Sequence, residues 1–390
     1  MKMQQWFCIA LIGVSLFLQA CGDRRESEAA ATASVPEAQQ AVVKIYNWTD
    51  YIAEDTIADF EKRTGIRVVY ETYTENEALD AKLIAGGSGY DLVFPSFRPF
   101  AQQHLQQKLY APLNRRRLPK LVNIDKEIMA SLSDVDLGNS RLVPYMWGTT
   151  GLGLNVSAVK ARLGENAPLD TWRLLFDPDM VAKLADCGVS VLDTDLETLS
   201  AALIFAGRDP NSARGDEIVL LDSLFGRIRK YISAFDSSDY IDKLASGEIC
   251  LAMGYSGDIA QAAARAEELG NDIEILYVIP REGALRWIDV MAIPTDAPHK
   301  ANAHTFINYL LEPEVIAKIT NYVAYANPNT LATEFVDPAV SGDPGIYPPA
   351  EVRARLHDPK QLPDDAQKMR EAFWSKLKEM VLNDGAIENG

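Results

Sequence analysis

Residues 42–94 read VVKIYNWTDYIAEDTIADFEKRTGIRVVYETYTENEALDAKLIAGGSGYDLVF, and this stretch decides the fold class. Three short runs rich in β-branched and aromatic residues are typical of buried strands. These predicted strands are 42–48, 66–73 and 91–94. Between them, apolar residues at helical spacing predict helices over 50–65 and 77–85. The β-α-β-α-β order predicts a parallel sheet with helices on both faces, and therefore an α/β protein.

The same alternation continues along the rest of the chain. Further predicted strands are Pro144–Asn155, Val189–Leu192, Ile249–Met253, Ile273–Ile279 and Trp287–Ile293, with helices at Leu196–Gly207 and Ala301–Leu311. At about 150 residues per domain, a chain of 390 residues suggests two lobes or one large domain. Because ligands of such sheets bind beyond the carboxyl ends of the strands, the side chains after each strand are candidate site residues.

The first 40 residues differ in character from the rest. One Lys precedes a short apolar stretch, and this pattern is typical of a signal peptide, since a bilayer span needs about 20 apolar residues. The stretch ends in Leu18-Gln19-Ala20-Cys21, which resembles the lipobox of bacterial lipoproteins. We therefore expect a signal peptide over 1–20 and a lipid on Cys21. A plain secretory signal with an incidental Cys is the alternative.

Residues 21–40 are expected to be the lipidated Cys and a flexible tether. The segment is rich in Ala, Ser and Glu and has no large apolar residue, so it cannot bury enough surface to offset its ordering entropy. Gly22 follows the Cys where an Asp would resemble an inner-membrane retention signal. Either the inner or the outer membrane could hold such an anchor.

The charge and the motif content exclude several classes of function. There are 38 Lys and Arg against 55 Asp and Glu, a formal net charge of −17, which disfavours nucleic-acid binding and favours cations. The sequence contains no Walker A motif, no GxSxG elbow and no zinc-spaced His pair. We therefore expect no enzymatic activity, no cofactor and no metal; unrecognised carboxylate chemistry is the remaining route to an enzyme.

Aromatic and acidic residues follow several of the predicted strands. The candidates from the residues alone are Trp48, Asp50, Tyr51, Glu197, Tyr255, Asp258, Trp287, Asp289 and Tyr325. Trp287 and Asp289 alternate along one strand and should face the same side. Taken singly, each candidate also has a structural explanation, since aromatics pack at strand ends and Asp caps helices. Cys187 and Cys250 form an even pair in an exported protein and fit no metal motif, so they are either bonded or two buried thiols.

Many separated motifs resemble the polyamine-binding proteins of bacterial ABC importers. These motifs are KIYNWTDYIAEDTIADFEKRTGI, GYDLVFPS, VPYMWGTTGLGLN, CGVSVLD, GEICLAMGYSGD, GALRWIDVMAIP, INYLLEPEV and YANPN, between Val42 and about Lys378. The resemblance implies the two-lobed type II periplasmic binding protein fold, with two crossover strands and the ligand in the cleft. The implied lobes are 41–146 plus 288–332, and 147–287 plus 333–385.

The resemblance also implies roles for particular residues. The matched ligand-binding positions are Trp48, Thr49, Tyr51, Ser96, Glu197, Tyr255, Asp258, Trp287, Asp289 and Tyr325. Asp258 and Asp289 would hold one ammonium end of the ligand, and Glu197, with help from Asp50, would serve the other end or a middle amine. Cys187 and Cys250 match a pair that is disulfide-bonded in putrescine-binding members.

The implied protein is a periplasmic, lipid-anchored monomer that passes a polyamine to an ABC permease and touches the membrane only through its lipid. Putrescine and spermidine both stay open as ligands. Tyr255 stands where Trp is common, and Thr49 and Trp287 are similar to spermidine-binding members. The alternatives are a different cationic or amino-acid-derived ligand on the same fold, and a sensor lipoprotein that does not serve transport.

Overall fold

The structure, a computed structural model, describes residues 41–388, with side chains as far as Val381. The strands are β1 Val42–Trp48, β2 Arg67–Tyr73, β3 Leu92–Val93, β4 Leu142–Asn155, β5 Val189–Val191, β6 Ala234–Phe235, β7 Leu251–Tyr255, β8 Ile275–Val278, β9 Ala284–Ala292 and β10 Leu356–His357. The helices are α1 Thr56–Thr64, α2 Asn76–Ala85, α3 Gln102–Gln106, α4 Lys126–Leu132, α5 Val156–Leu163, α6 Arg173–Phe176, α7 Pro178–Leu184, α8 Asp195–Phe205, α9 Gly215–Ile228, α10 Tyr240–Ser246, α11 Ser256–Glu268, α12 Lys300–Leu310, α13 Pro313–Val323, α14 Pro338–Ser341, α15 Ala350–Arg353 and α16 Asp364–Glu388. The alternation of strands and helices confirms the α/β class.

The first helix is shorter than the sequence predicted. It begins at Thr56 rather than near Asp50. Asp50 has a φ of 54°, a left-handed conformation that does not start an α-helix. The helix ends as expected at Gly65, whose φ of 69° a residue with a Cβ adopts only with strain.

The sheet is mixed rather than purely parallel. Its strand order is β2-β1-β3-β9-β4-β7-β5-β6, with β10 paired to β9 and β8 paired to β4. β1 runs parallel to β2 and β3, and β5 runs parallel to β6 and β7. β4 and β9 are antiparallel to each other and to β3, β7 and β8, whereas the short β10 runs parallel to β9. The parallel prediction therefore fails at the central pair and holds in the strands on its two sides.

Strands β4 and β9 connect two apolar regions. The first half of β4 contributes Val143 and Met146 to the core beside β1 and β3, whereas Leu152 and Leu154 pack in the core beside β5 and β7. β9 crosses in the opposite direction, with Leu285 in the second core. Two cores joined by two long antiparallel strands match the expected lobes and crossover strands.

The segment after residue 332 packs differently from its assigned lobe. Val336 and Ile346 lie in the apolar clusters of the first region. The Tyr347 hydroxyl accepts the Asn327 N–H at 3.3 Å, which holds the segment there. We therefore propose that the first lobe extends to about residue 348 and that the second lobe resumes after it.

A disulfide joins Cys187 to Cys250, which confirms the implied pairing. Their Cα atoms lie 5.5 Å apart, inside the range that a disulfide can span. The bond joins the residues just before the neighbouring strands β5 and β7. With a sequence separation of 63, the loop that it closes stabilises the fold by about 4 kcal/mol in the chain-entropy model. It therefore stabilises the two strands whose far ends lead into α8 and α11.

The described part of the chain holds neither a helix of transmembrane character nor a cluster of metal ligands. None of its helices is long and apolar enough to cross a membrane. Its His, Cys, Asp and Glu side chains form no group of three or more that could hold a metal ion. The predicted signal peptide, Cys21 and tether lie outside the described residues.

Candidate functional site

Asp289 lies on the central strand β9 and accepts two hydroxyl hydrogen bonds. The Tyr51 hydroxyl donates to its Oδ2 at 2.8 Å, and the Ser96 Oγ donates to its Oδ1 at 2.7 Å. Tyr51 follows β1 and Ser96 follows β3, and the carboxyl ends of these parallel strands meet at one edge. Asp289 is only 5% exposed, and burial raises its pKa to about 6.

Asp258 occupies the first turn of α11, which starts directly after β7. Its Oδ2 accepts the Tyr240 hydroxyl at 2.7 Å and its Oδ1 accepts the Tyr325 hydroxyl at 2.5 Å. Burial raises the pKa of Asp258, while the two hydroxyl donors act against this rise. The helix N-terminus also favours a negative charge at this position.

Glu197 occupies the equivalent position in α8, the helix that follows β5. It is 5% exposed, and its Oε2 has no hydrogen-bond partner among the described residues. Burial raises the pKa of Glu197 to about 7, while the neighbouring Thr150 hydroxyl and the charge of Arg370 act against the rise. A buried carboxylate oxygen without a donor leaves a place for a ligand donor.

Tyr255 lies within the electrostatic influence of all three carboxylates. Burial raises the pKa of the Tyr255 hydroxyl, and the negative charges of Glu197, Asp258, Asp289 and Glu77 add to the rise. The packing explains this convergence, because α8 contacts β9 and α11 begins where β7 ends at Tyr255. Tyr255 also packs against both apolar cores, so the acidic site lies where the two regions meet.

Aromatic rings form a continuous edge-to-face series beside the carboxylates. Trp287 contacts Tyr255 at 5.9 Å and Tyr325 at 5.0 Å between ring centroids, and Tyr325 contacts Tyr51 at 5.6 Å. The Trp287 indole N–H is buried and has no acceptor within the described part of the chain. The series gives the acidic site apolar walls of the kind that attract organic cations.

The residues before Tyr51 are less enclosed. Trp48 is half-buried, and its indole N–H donates to the Phe94 carbonyl at 2.8 Å. Thr49 and Asp50 are exposed, and the Thr49 N–H donates to the Tyr73 carbonyl. Burial raises the pKa of Tyr70, and Asp50 adds to that rise from outside the three-carboxylate cluster. These three predicted residues therefore lie at the edge of the site. The structure brings the other eight together, namely Tyr51, Ser96, Glu197, Tyr255, Asp258, Trp287, Asp289 and Tyr325.

Four residues that support the site were missed from the sequence. Tyr240 donates to Asp258, and the Asn76 amide holds Ser96 through its backbone N–H and its hydroxyl. A Cβ on Gly148 would lie 2.4 Å from the Trp287 ring, and one on Gly257 would lie 2.6 Å from the Tyr325 ring. The two glycines stand inside the quoted motifs, and this placement was the available sequence signal. The structure supplies the reason, since each glycine lies close to an aromatic ring. Tyr240 and Asn76 carry no local signal.

Arg286 does not bring a positive charge into the site. It pairs with Asp358 through two hydrogen bonds of 2.8 and 2.9 Å and reaches Glu127 at 3.3 Å. Strand alternation thus directs it away from Trp287, as the sequence indicated. No Lys or Arg among residues 41–381 forms an ion pair with any of the three site carboxylates. The negative charge of the site is open to an external cation.

Comparison with known proteins identifies the family. The sequence pattern of the bacterial extracellular solute-binding proteins matches residues 55–348, about three quarters of the chain. The chain belongs to this family. This solute-binding protein is 46% identical over 341 residues to the putrescine-binding periplasmic protein SpuD of Pseudomonas aeruginosa, covering 87% of this chain and 93% of that one. It is 45% identical over 342 residues to the putrescine-binding periplasmic protein PotF of Escherichia coli, covering 87% and 92%.

Solved structures agree with the family assignment. The spermidine/putrescine ABC transporter substrate-binding protein PotD of Streptococcus pneumoniae superposes with a TM-score of 0.74 at 26% identity, covering 87% of this chain and 99% of that one. This likeness confirms the two-lobed type II fold for the solute-binding protein. The family consists of exported binding receptors, which places this chain among receptors rather than among enzymes.

Proposed function

We propose that this protein is an extracytoplasmic receptor that captures a polyamine, putrescine or spermidine, and delivers it to an ABC importer. The observation that carries the proposal is the convergence of Glu197, Asp258 and Asp289 around Tyr255 without a Lys or Arg ion pair from the described chain. The names of the most similar relatives, which bind putrescine, support the same ligand class.

The chemistry of the site matches that of a polyamine. A polyamine carries a positive charge at each end and an apolar methylene chain between them. Ammonium groups form strong charge-assisted hydrogen bonds with desolvated carboxylates. Aromatic faces attract an ammonium by about 0.5–2 kcal/mol each and also cover methylene groups. A site with acids and rings, whose carboxylates form no ion pair with a Lys or Arg of residues 41–381, therefore favours this ligand over an anion or a sugar.

We assign the two hydroxyl-lined carboxylates, Asp258 and Asp289, to one ammonium end. Glu197 would hold the other end of putrescine or the middle amine of spermidine, because its Oε2 lacks a donor. Tyr255, Trp287 and the other rings of the series would cover the methylene chain. Trp48, Thr49 and Asp50 are more exposed and would contact the ligand at the outer edge of the site. Closure of the lobes would expel water and let an importer recognise the closed state.

Titration calorimetry with matched ligands tests the proposed function. Putrescine and spermidine should bind with one-to-one stoichiometry. Butylamine, which keeps the chain but loses one charge, should bind at least about 30-fold more weakly, because one desolvated ion pair of about 2–5 kcal/mol is missing. An amino acid such as arginine serves as the comparison for another ligand class. Tight arginine binding without polyamine binding would refute the ligand assignment.

We further propose that Cys21 carries the lipid anchor and that the receptor works as a monomer in the periplasm. Mass spectrometry of the N-terminal peptide should show acyl mass on Cys21; a free N-terminus downstream of it would refute the anchor. Uptake of labelled polyamine in cells with and without the protein separates a transport receptor from a sensor lipoprotein. Unchanged uptake in its absence would favour the sensor.

A further inference from the structure

Arg370, on the C-terminal helix α16, is a buried cation that makes no contact with a carboxylate. It is 2% exposed, and its guanidinium donates to the Pro210 carbonyl at 3.1 Å and to the Ser200 hydroxyl at 3.0 Å. Its Nε has no partner, and none of the ion pairs in the described part of the chain includes it. A buried charge is tolerated when opposite charge compensates it. The compensation must therefore come from acids beyond hydrogen-bond distance.

The hydrogen bonds of Arg370 tie it to the helix that carries Glu197. Ser200 lies one turn after Glu197 on α8. The Ser200 hydroxyl also donates to the Pro210 carbonyl at 3.0 Å, so Arg370, Ser200 and Pro210 form a closed set of hydrogen bonds. Arg370 is thus held beside α8, one helical turn from Glu197.

The charged groups around this position explain its effect. The groups that act on Glu197 come from several elements: Arg370 from α16, Asp195 from α8 itself, and the hydroxyls of Tyr255 and Tyr277 from β7 and β8. Burial and Asp195 both disfavour the Glu197 anion, and Arg370 is the only cation that acts on its pKa among the described groups. Burial lowers the pKa of Arg370 itself, while acids including Glu217 oppose this.

We propose, on the basis of the polyamine-receptor function proposed above, that Arg370 is a positioning residue for ligand capture. From its position beside Ser200, one turn from Glu197, it supplies the positive charge that holds the Glu197 carboxylate as an anion ready for the ligand ammonium. The guanidinium does not touch the ligand. Its own repulsion of a cationic ligand is the smaller effect at neutral pH, because an uncharged Glu197 could not pair with an ammonium at all.

This role has a signature in pH that a purely structural role lacks. Removal of the charge in Arg370→Gln should raise the pH at which Glu197 ionises by about one unit, as expected for the loss of one nearby opposite charge. From the Glu197 pKa of about 7, putrescine affinity should fall about fivefold at pH 7. At pH 8.5, where both proteins keep Glu197 ionised, the difference should shrink to less than about twofold.

Calorimetry of the full-length protein with putrescine at pH 7 and pH 8.5 tests this role. Ser200→Ala is the matched control, because it removes a hydrogen bond to Arg370 but no charge, and it should leave the pH dependence unchanged. In a Glu197→Gln background, Arg370→Gln should have no further effect on affinity at either pH. An equal loss at both pH values, or a loss that persists in the Glu197→Gln background, would overturn the role of the charge.

Arg370→Lys keeps the test decisive if Arg370→Gln does not fold. Lys retains the charge but cannot make both hydrogen bonds, so the pH at which affinity falls should stay within about 0.3 units of the wild type. A shift of a full unit in Arg370→Lys would contradict the assignment. Wild-type protein is titrated first: absence of putrescine binding there refutes the receptor function itself, whereas normal wild-type binding with pH-independent variants refutes only the role of Arg370.

Discussion

The two sides of the acidic site stabilise their carboxylates in different ways. Asp258 and Asp289 each accept two hydroxyl hydrogen bonds, from Tyr240 and Tyr325 and from Tyr51 and Ser96. Glu197, on the other side, has a buried Oε2 with no donor from the described residues. Hydroxyl donors stabilise an anion without neutralising it, so the aspartate side is organised before a ligand arrives. The glutamate side is completed only by an external donor or a distant charge.

This difference predicts which carboxylate binds the ligand and which one senses pH. The aspartates cost the unliganded protein little, since their oxygens already accept hydrogen bonds from hydroxyl groups. Glu197 keeps an unsatisfied oxygen in a buried position, which destabilises the unliganded protein. At Glu197, the favourable free energy of ligand binding therefore comes mainly from relief of this penalty. At the aspartates, it comes mainly from a geometry that is already formed.

The largest effect is expected at the aspartate side. Asp289→Asn should weaken putrescine binding by about 2–5 kcal/mol, because one partner of a desolvated charge pair is lost. Ser96→Ala removes only one neutral donor to the same carboxylate and should cost about 1 kcal/mol. Titration calorimetry of both variants under the same conditions makes the comparison. Equal losses would show that Asp289 does not pair with the ligand.

Glu197→Gln should stabilise the unliganded protein at high pH. The Glu197 pKa rises from 4.5 to about 7 on folding, so the folded state binds more protons than the unfolded state between these values. Stability is therefore lost as the pH rises through this window, and the whole penalty is present above about pH 7. Removing the charge should increase the free energy of unfolding by up to about 3 kcal/mol at pH 8 and by almost nothing at pH 4.

Urea unfolding of the ligand-free proteins at the two pH values checks this effect. Ser200→Ala, a small change on the same helix, controls for a general response of α8. If Glu197→Gln were less stable than the wild type at pH 8, Glu197 would have a stabilising partner and the contrast with the aspartates would fail.

The sequence predicted the elements well and the supports of the site poorly. The alternation of Trp287 and Asp289 was enough to place both beside the site and Arg286 outside it, because strand periodicity is local. Tyr240 and Arg370 were missed because their contacts join residues 18 and 170 positions apart. The βαβ rhythm missed the antiparallel direction of the central strands, because it specifies only parallel neighbours, whereas the family resemblance did imply two crossover strands. The late start of α1 was also missed, since periodicity does not reveal that Asp50 has a left-handed backbone.

Wild-type affinity for putrescine should decrease as the pH falls from 8 to 5.5. Cation binding requires ionised carboxylates, and burial places the pKa of Glu197 at about 7 and that of Asp289 at about 6. Below each value the affinity should drop by up to about tenfold per pH unit. Calorimetry across this range should show two steps, and Glu197→Gln should lack the upper one. A putrescine affinity that does not change between pH 8 and pH 5.5 would mean that both acids stay ionised throughout this range.

The smallest expected effect concerns ligand length at Tyr255. The family resemblance implies a Trp at this position, and the half-buried Tyr255 ring meets Trp287 edge to face at 5.9 Å. A smaller ring leaves space in the wall, and a shorter ligand would leave that space without contacts. We therefore expect spermidine to bind at least as tightly as putrescine, although the similar proteins SpuD and PotF are named for putrescine.

Competition between the two ligands in one titration at fixed salt measures this preference. Salt must be fixed because a protein of net charge −17 attracts the trivalent ligand more strongly at low ionic strength, whatever the shape of its pocket. Tyr255→Trp fills the space and should shift the preference towards putrescine, while Tyr255→Phe, which keeps the ring size, should not. If putrescine binds the wild type more than about tenfold tighter, a difference of about 1.4 kcal/mol, ring volume at Tyr255 does not set the selectivity.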